Sequence, residues 1–269
     1  MYFPDMKYPR FIQKKVEEAL KDTPVVFLNG PRQSGKSTLV HHIAEDHLYI
    51  TLDDLMELEA AKAYPQSFFN RKADRMIIDE IQRAPELFIV IKKMVDENRI
   101  SGKFLLTGSS NVLLLPTLSD SLAGRMEILT LFPLSSFELQ KLPVDLISLF
   151  FQSSDAIPKQ EEEQRFKQIL RGGYPEIQER ENPQRQTAWF QSYLKTILER
   201  DVRDLSQIEG LTRLPHLLKI LATRSGNLLN LDELGRSSGI PSSTLKRYLT
   251  LLRTVFFIMS GFWTMGNLK

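Results

Sequence analysis

The first half of the chain alternates short apolar runs with stretches in which apolar residues recur at helical spacing. The apolar runs occupy residues 24–29, 48–52, 75–79, 103–108 and 126–131. Uninterrupted runs of this length are typical of parallel strands that are buried on both faces. The stretches between the runs predict helices over residues 10–21, 55–72 and 85–98, and another after residue 38. This order predicts an α/β fold with a five-stranded parallel sheet.

The pattern changes after Pro133. Downstream, helices are predicted over residues 135–141, 144–152, 161–170 and 186–205, and residues 153–163 are polar and acidic like a linker. Residues 213–258 form a further unit, in which two short helices flank the turn Ser238-Gly-Ile-Pro241. We therefore expect an α/β domain at residues 1–134, a helical region at 135–212 and a winged-helix or helix-turn-helix-like unit at 213–269.

The segment after the first predicted strand fits the phosphate-binding P-loop pattern G-x-x-x-x-G-K-[ST]. Its glycines let the backbone curl so that N–H groups point at an anion, and the helix that follows adds its positive end. The pattern assigns nucleotide binding to Gly30, Pro31, Arg32, Gln33, Ser34, Gly35, Lys36, Ser37 and Thr38. In this pattern Lys36 provides a charge for the β- and γ-phosphates, and Ser37 provides an oxygen ligand for Mg²⁺.

The third predicted strand ends in Asp79-Glu80, which fits the Walker B pattern. At the carboxyl end of a strand, Asp79 would face the P-loop and hold Mg²⁺, because a hard cation prefers oxygen ligands. Glu80 would then orient and polarise the water that attacks ATP. Many strands end in acids, so the pair alone also fits a capped strand end. Its position 43 residues after Lys36, in a chain with a P-loop, favours the metal site.

Three further candidate residues lie between the fourth and the fifth predicted strand. Ser109 and Asn111 lie where a sensor of the γ-phosphate belongs, but they also suit the cap of a short helix over residues 112–115. Arg125 could contact a γ-phosphate in its own subunit or in a neighbouring one. The alternative for Arg125 is a solvated side chain or an ion pair with a carboxylate.

A family resemblance rests on six motifs and the helix-turn-helix pattern, in a fixed order. The motifs are Gly30-Pro-Arg-Gln-Ser-Gly-Lys-Ser, Leu52-Asp-Asp, Ile77-Ile-Asp-Glu-Ile-Gln82, Leu106-Thr-Gly-Ser-Ser-Asn111, Ser121-Leu-Ala-Gly-Arg125 and Gly172-Gly-Tyr-Pro-Glu176. This order resembles bacterial and archaeal AAA-type ATP-binding proteins, which join a P-loop core to a C-terminal domain of unknown function. The resemblance implies ATP and Mg²⁺ as cofactors. It also implies that the strand before Ser109 lies between the P-loop strand and the Walker B strand.

Members of that family usually continue past the helix-turn-helix into a nuclease-like α/β domain. This chain stops at Lys269, soon after the apolar segment 256–263. We therefore expect a truncated product, to which activities of the absent part are not transferred. An exposed apolar end also favours self-association, so a homo-oligomer is expected.

The amino-acid composition excludes several kinds of functional site and partner. The chain has no cysteine, which excludes disulfides, thiolate metal sites and a cysteine nucleophile. The net charge of +2 is too small to indicate nucleic-acid binding by itself. The first residues show no signal-peptide pattern, and the apolar stretch 254–265 is too short to cross a bilayer. We expect a cytoplasmic protein with no membrane partner.

These observations favour a Mg²⁺-dependent ATPase, with Glu80 and Arg125 as catalytic candidates and Ser37 and Asp79 as metal ligands. The alternative is a nucleotide-gated DNA-binding or regulatory protein with little turnover. Its DNA contacts would be Ser243, Thr244, Lys246 and Arg247 on the second helix of the helix-turn-helix. The same unit could instead dock a protein partner. A kinase is disfavoured because Glu80 would activate water.

Overall fold

A computed structural model describes residues 6–70, 73–109, 122–142, 162–202 and 213–259. The chain forms two compact units, Met1–Trp189 and Phe190–Lys269. The predicted helices at 112–115 and 144–152, together with Asn111, lie outside the described residues. Within the described ranges, no helix is long and apolar enough to cross a membrane.

The first unit contains one sheet and the helices that cover it. Its strands are β1 (Val25–Asn29), β2 (Leu48–Thr51), β3 (Met76–Asp79), β4 (Phe104–Gly108) and β5 (Met126–Thr130). The first helices are α1 (Gln13–Asp22), α2 (Lys36–Ile43), α3 (Leu55–Ala63), α4 (Pro65–Phe68) and α5 (Leu87–Glu97). After the sheet come α6 (Ser136–Leu139), α7 (Glu162–Arg171), α8 (Pro175–Gln178) and the start of α9 (Pro183–Thr196).

All neighbouring strands are parallel, and their order is β2-β3-β4-β1-β5. The predicted five-stranded parallel sheet is therefore confirmed. The predicted place of β4, between the P-loop strand and the Walker B strand, is confirmed as well. Asn29 pairs with Gly108 on one side and with Thr130 on the other. The carboxyl ends of β1, β4 and β5 consequently lie side by side, at the edge where ligands bind in open α/β sheets.

Successive residues of each strand point to opposite faces of the sheet, and each face packs into its own hydrophobic core. Phe27, Ile78 and Leu106 belong to the core that α5 covers with Leu87, Phe88 and Ile91. On the other face the buried residues come from β1, β3, β4, α1 and α2, namely Val26, Leu28, Ile77, Leu105, Val16, Ala19, Leu39 and Val40. This double burial explains why the strands read as unbroken apolar runs.

Two predicted helices differ from the observed ones. The helix predicted over residues 55–72 is broken at Tyr64, and Pro65 then begins α4 at a position that tolerates proline. The helix predicted over residues 186–205 already starts at residue 183 as α9, and it continues as a π-helical turn over Ile197–Asp201. Both deviations change helix boundaries and leave the order of elements as predicted.

The second unit contains α10 (Leu214–Thr223), α11 (Leu231–Ser238) and α12 (Ser242–Thr254). Asn230 caps α11 by accepting hydrogen bonds from the amides of Asp232 and Glu233. Buried leucines hold the three helices together, namely Leu214, Leu217, Leu234, Leu245, Leu249 and Leu252. No strand occurs within residues 213–259, so the wing of a winged helix is not confirmed.

Candidate active site

The segment between β1 and α2 forms a tight loop over the carboxyl edge of the sheet. Gly30 lies so close to the chain after β5 that a Cβ atom there would overlap the carbonyl oxygen of Leu131. Gly35 has φ 95°, which a side chain would strain, and α2 begins at the next residue. The P-loop therefore requires glycine at the two positions where its motif has it.

Lys36 is buried within this loop and has 5% of its surface exposed. Its Nζ donates hydrogen bonds to the carbonyl oxygens of Gly30, at 2.9 Å, and Pro31, at 3.0 Å. The ammonium group is thus held against the first two residues of the loop, and Lys36 is itself the first residue of α2. Positive charge from the side chain and the helix dipole converges on one point.

Asp79, at the end of β3, receives hydrogen bonds from three hydroxyl groups. Ser37 Oγ donates to Oδ2 at 3.0 Å, and the Tyr49 hydroxyl donates to the same oxygen at 2.7 Å. Thr107 Oγ1 donates to Oδ1. The structure therefore brings the predicted metal ligands Ser37 and Asp79 together and fixes the carboxylate orientation. The Asp79 carboxylate and the Ser37 hydroxyl both provide oxygen ligands, the kind that Mg²⁺ prefers.

Tyr49 and Thr107 were not predicted as site residues, because no local pattern marks a strand residue that faces a distant carboxylate. Burial raises the pKa of the Tyr49 phenol, and the charge of Asp79 raises it further. The phenol therefore remains a hydrogen-bond donor to Asp79. The Thr107 hydroxyl also accepts a hydrogen bond from the Glu80 amide at 3.3 Å, so it links the two acidic residues.

Glu80 lies beyond the strand end with φ 59°, an uncommon conformation for a residue with a side chain. Its Oε2 accepts hydrogen bonds from Gln82 Nε2 and from Ser109 Oγ, the latter at 3.2 Å. Gln82 Nε2 also donates to Ser109 Oγ at 3.0 Å. The structure thus brings the predicted base and the predicted sensor together. Gln82 was not predicted as a site residue, although it stands two residues after Glu80 in the Asp-Glu-Ile-Gln motif.

Arg125 lies elsewhere, at the amino edge of the sheet. Its carbonyl accepts a hydrogen bond from the amide of Val25 at the start of β1, whereas the P-loop follows the end of that strand. A strand rises about 3.3 Å per residue, so the two edges that β1 joins are roughly 16 Å apart. The guanidinium forms an ion pair with Asp96 of α5. The structure therefore does not bring Arg125 to the P-loop of its own chain.

The P-loop also contacts a buried arginine, Arg10, that the sequence motifs do not include. Arg10 donates to the carbonyl oxygen of Ser34 at 2.7 Å and forms an ion pair with Glu138 of α6 at 3.2 Å. Burial lowers the pKa of Arg10, and the Glu138 carboxylate opposes that shift. The partners are 128 positions apart along the chain, so no spacing pattern could reveal the pair.

The predicted DNA-contact residues all lie on α12 of the second unit. Ser243, Lys246 and Arg247 are exposed, and Thr244 is half-buried. Neither Lys246 nor Arg247 forms an ion pair with a residue that the structure describes. The structure therefore keeps the four residues on one helix and leaves two positive charges facing solvent.

The chain is similar to known proteins along most of its length. Residues 22–140 match the family model described as an AAA domain, and residues 162–261 match a domain of unknown function (DUF8612). Uncharacterized proteins of Mycobacterium bovis and Mycobacterium tuberculosis are each 30% identical over 239 residues, which is 88% of this chain. The chain spans about half the length of these curated relatives, since the match covers 49% of each.

Among solved structures, the Walker-type ATPase PABY2304 of Pyrococcus abyssi matches with a TM-score of 0.49 and 16% identity, over 93% of this chain and 89% of that one. AMPPCP-bound DnaA from Aquifex aeolicus matches with a TM-score of 0.42 and 14% identity, over 91% of this chain and 90% of that one. This chain has an AAA-type P-loop fold, in which residues 22–140 match an AAA domain and residues 162–261 match a domain of unknown function.

Proposed function

We propose that this chain binds ATP with Mg²⁺ at its P-loop and hydrolyses it to ADP and phosphate. The observation that carries the proposal is the 3.0 Å hydrogen bond between Ser37 Oγ and Asp79 Oδ2, directly beside Lys36. Octahedral Mg²⁺ holds oxygen ligands at about 2.0–2.1 Å, so two oxygens about 3 Å apart fit neighbouring positions around one ion. The matched AAA domain spans residues 22–140, which include this loop, and it supports nucleotide binding.

In this proposal the loop amides, Lys36 and Thr38 hold the phosphates. Lys36 now donates to two carbonyl oxygens of the loop, and an arriving phosphate offers it a charged acceptor instead. Ser37 and Asp79 would hold Mg²⁺, which neutralises charge on the β- and γ-phosphates when bound. The remaining loop residues shape the cradle around these groups.

Glu80 acts as the general base. Its carboxylate is held by Gln82 and Ser109 at the carboxyl edge of the sheet, beside Asp79. From there it would orient a water molecule toward the γ-phosphate and accept its proton. Phosphoryl transfer depends mostly on positioning and electrostatics, so a covalent intermediate is not required. Ser109 would contact the γ-phosphate and link it to Glu80, because the Ser109 hydroxyl already donates a hydrogen bond to the Glu80 carboxylate.

The test is phosphate release from ATP in the presence of Mg²⁺, with ATP binding measured in parallel. Glu80→Gln should keep ATP binding and lower turnover by about 10²-fold or more, since general-base catalysis contributes about 10²–10⁴-fold. Glu59→Gln is the matched control, because Glu59 is an exposed residue of α3. Equal turnover in wild type and Glu80→Gln would contradict the role of Glu80.

In this proposal Arg125 acts in hydrolysis only at the nucleotide of a second subunit. Its position at the amino edge of the sheet keeps it from the γ-phosphate of its own chain. A neighbouring subunit could receive it as an arginine finger, a contribution worth about 10³–10⁵ in rate where measured.

A second candidate function is nucleotide-gated DNA binding through the second unit. Its support is the exposed pair Lys246 and Arg247 on α12, which follows α11 after a short turn. A helix in this arrangement can place such side chains against phosphates or base edges of a major groove. Protein docking through the same face remains the competing outcome.

Binding of duplex DNA at several salt concentrations tests this candidate. Each lost phosphate contact should reduce the slope of log K against log salt by about 1. The double variant Lys246→Glu with Arg247→Glu should abolish binding. The control Lys14→Glu with Lys15→Glu makes the same charge change on exposed residues of α1. No binding by wild type at low salt would remove the candidate.

A further inference from the structure

We infer that Arg10 is a positioning residue for the phosphate-binding loop, and that the Gly172-Gly173 turn acts on the loop through it. The inference rests on the proposed nucleotide site, which it deepens by adding a regulatory contact. It gives a structural role to the Gly172-Gly-Tyr-Pro segment, to which no chemistry is assigned.

The guanidinium of Arg10 joins three separate segments. One nitrogen donates to the carbonyl oxygen of Ser34 in the P-loop, at 2.7 Å. A second donates to the carbonyl oxygen of Phe132 after β5, and a third donates to Glu138 Oε1 at 3.2 Å. Arg10 is 8% exposed, so these bonds are shielded from water. The rigid fork of a guanidinium fixes the three segments relative to one another.

The bond to Ser34 bears directly on the shape of the loop. A P-loop aims its N–H groups at the anion. The Ser34 carbonyl shares one planar trans peptide with the Gly35 N–H, so the two groups point in opposite directions. By holding this oxygen, Arg10 fixes the direction of the Gly35 N–H. It also lies against Gly35, where a Cβ atom would be 3.4 Å from a guanidinium nitrogen. Arg10 thus stabilises the conformation that binds phosphate without touching phosphate itself.

Glu138 keeps Arg10 in place. Its Oε1 also accepts from the Phe11 amide at 2.9 Å, and its Oε2 accepts from the Ser135 amide at 2.8 Å. The Ser135 hydroxyl in turn caps the amide of Glu138, so the carboxylate is part of a complete capping box. The position of Arg10 therefore depends on the segment 131–138, which leads from β5 to α6.

The Gly172-Gly173 turn lies against that same segment. The Leu134 amide donates to the carbonyl oxygen of Gly173 at 2.6 Å. A Cβ atom at Gly173 would overlap the carbonyl oxygen of Leu134, so only glycine permits this approach. A continuous set of contacts consequently runs from Gly173 through Leu134 and Glu138 to Arg10 and Ser34. A movement of the turn would be transmitted to the P-loop.

The first measurement is amide hydrogen exchange of the free protein, which needs no nucleotide. Arg10→Lys keeps the charge that Glu138 requires but loses the three-way fork. A peptide covering residues 30–38 should exchange roughly tenfold faster in this variant, because local opening becomes easier. Peptides from β1 and β4 should be unchanged. The matched control is Lys7→Ala, since Lys7 belongs to the same N-terminal segment and its ion pair with Glu179 is exposed.

Unchanged exchange of residues 30–38 in Arg10→Lys would overturn the inference, whether or not the chain binds ATP. Should this variant fail to fold, Glu138→Gln tests the same contact with an isosteric side chain. Where wild type binds ATP, Arg10→Lys should weaken the affinity about tenfold, as expected for one lost charge-assisted hydrogen bond. Lys7→Ala should bind as wild type does.

A double-mutant cycle then tests the link to the turn. Gly173→Ala alone should weaken ATP binding, and it should weaken binding much less in the Arg10→Lys background. Additive effects would show that the turn does not act through Arg10. Absence of ATP binding by wild type would instead count against the proposed function and leave the exchange result to decide the inference.

Discussion

Replacing Gly173 by alanine should destabilise the first unit through a steric effect that can be worked out from the structure. The new Cβ atom would overlap the Leu134 carbonyl oxygen and lie 3.0 Å from both its carbonyl carbon and its amide nitrogen. Favourable carbon contacts lie at about 3.5–4.0 Å, so the two backbone segments would have to separate by roughly 1 Å. That separation would also break the hydrogen bond from Leu134 to Gly173.

The expected free-energy cost has two parts. Overpacking of this kind costs about 1–3 kcal/mol, and loss of the hydrogen bond adds about 0.5–1.5 kcal/mol. For a unit of this size, each 1 kcal/mol lowers the melting temperature by about 2–4 °C. The Gly173→Ala protein should therefore melt about 3–18 °C below wild type in the absence of nucleotide.

Thermal denaturation followed by circular dichroism measures this difference. Gly235→Ala is the control, because Gly235 lies inside α11 and a Cβ atom there meets its nearest neighbour at 3.4 Å. Alanine favours a helix over glycine by about 1 kcal/mol, so this control should not lower the melting temperature. A Gly173→Ala protein that melts together with wild type would refute the steric reasoning.

Two other predictions concern single contacts. Asn230→Ala removes the cap of α11 and should reduce the stability of the second unit by about 1 kcal/mol, which chemical denaturation of the full chain followed by a probe on that unit would measure. An unchanged midpoint would show that the cap contributes nothing. Arg125→Ala should leave ATP affinity unchanged, because Arg125 lies far from the P-loop of its own chain. A fall in its turnover that becomes larger as protein concentration rises would indicate action between subunits, and weaker ATP binding by dilute protein would contradict the placement.

The sheet and the P-loop could be predicted because their signals are local. Each strand is buried on both faces, so it appears as an apolar run, and the P-loop motif needs its residues at a fixed spacing. The order of the strands was predictable only through the family resemblance. The position of Ser37 beside Asp79 follows from the parallel direction of the strands, which places the carboxyl ends of β1 and β3 at the same edge, and from the order, which leaves only β4 between them.

The supporting contacts could not be predicted, since they join residues that are distant in sequence. Tyr49 and Thr107 are strand residues, and only the register of the sheet shows that both face Asp79. Arg10 precedes an amphipathic helix, where an arginine is usually solvated, yet it is buried by α6 and the P-loop. Arg125 illustrates the opposite case. Its motif suggested a phosphate contact, whereas the sheet places it at the far edge.

The central claim is that the P-loop binds ATP with Mg²⁺, and equilibrium ATP binding tests it most directly. Wild type should bind ATP, and removal of Mg²⁺ with EDTA should weaken the binding. Lys36→Ala should abolish it, whereas the control Lys62→Ala changes an exposed lysine of α3 and should have no effect. Wild-type affinity in the Lys36→Ala protein would contradict the assignment of this loop as the nucleotide site.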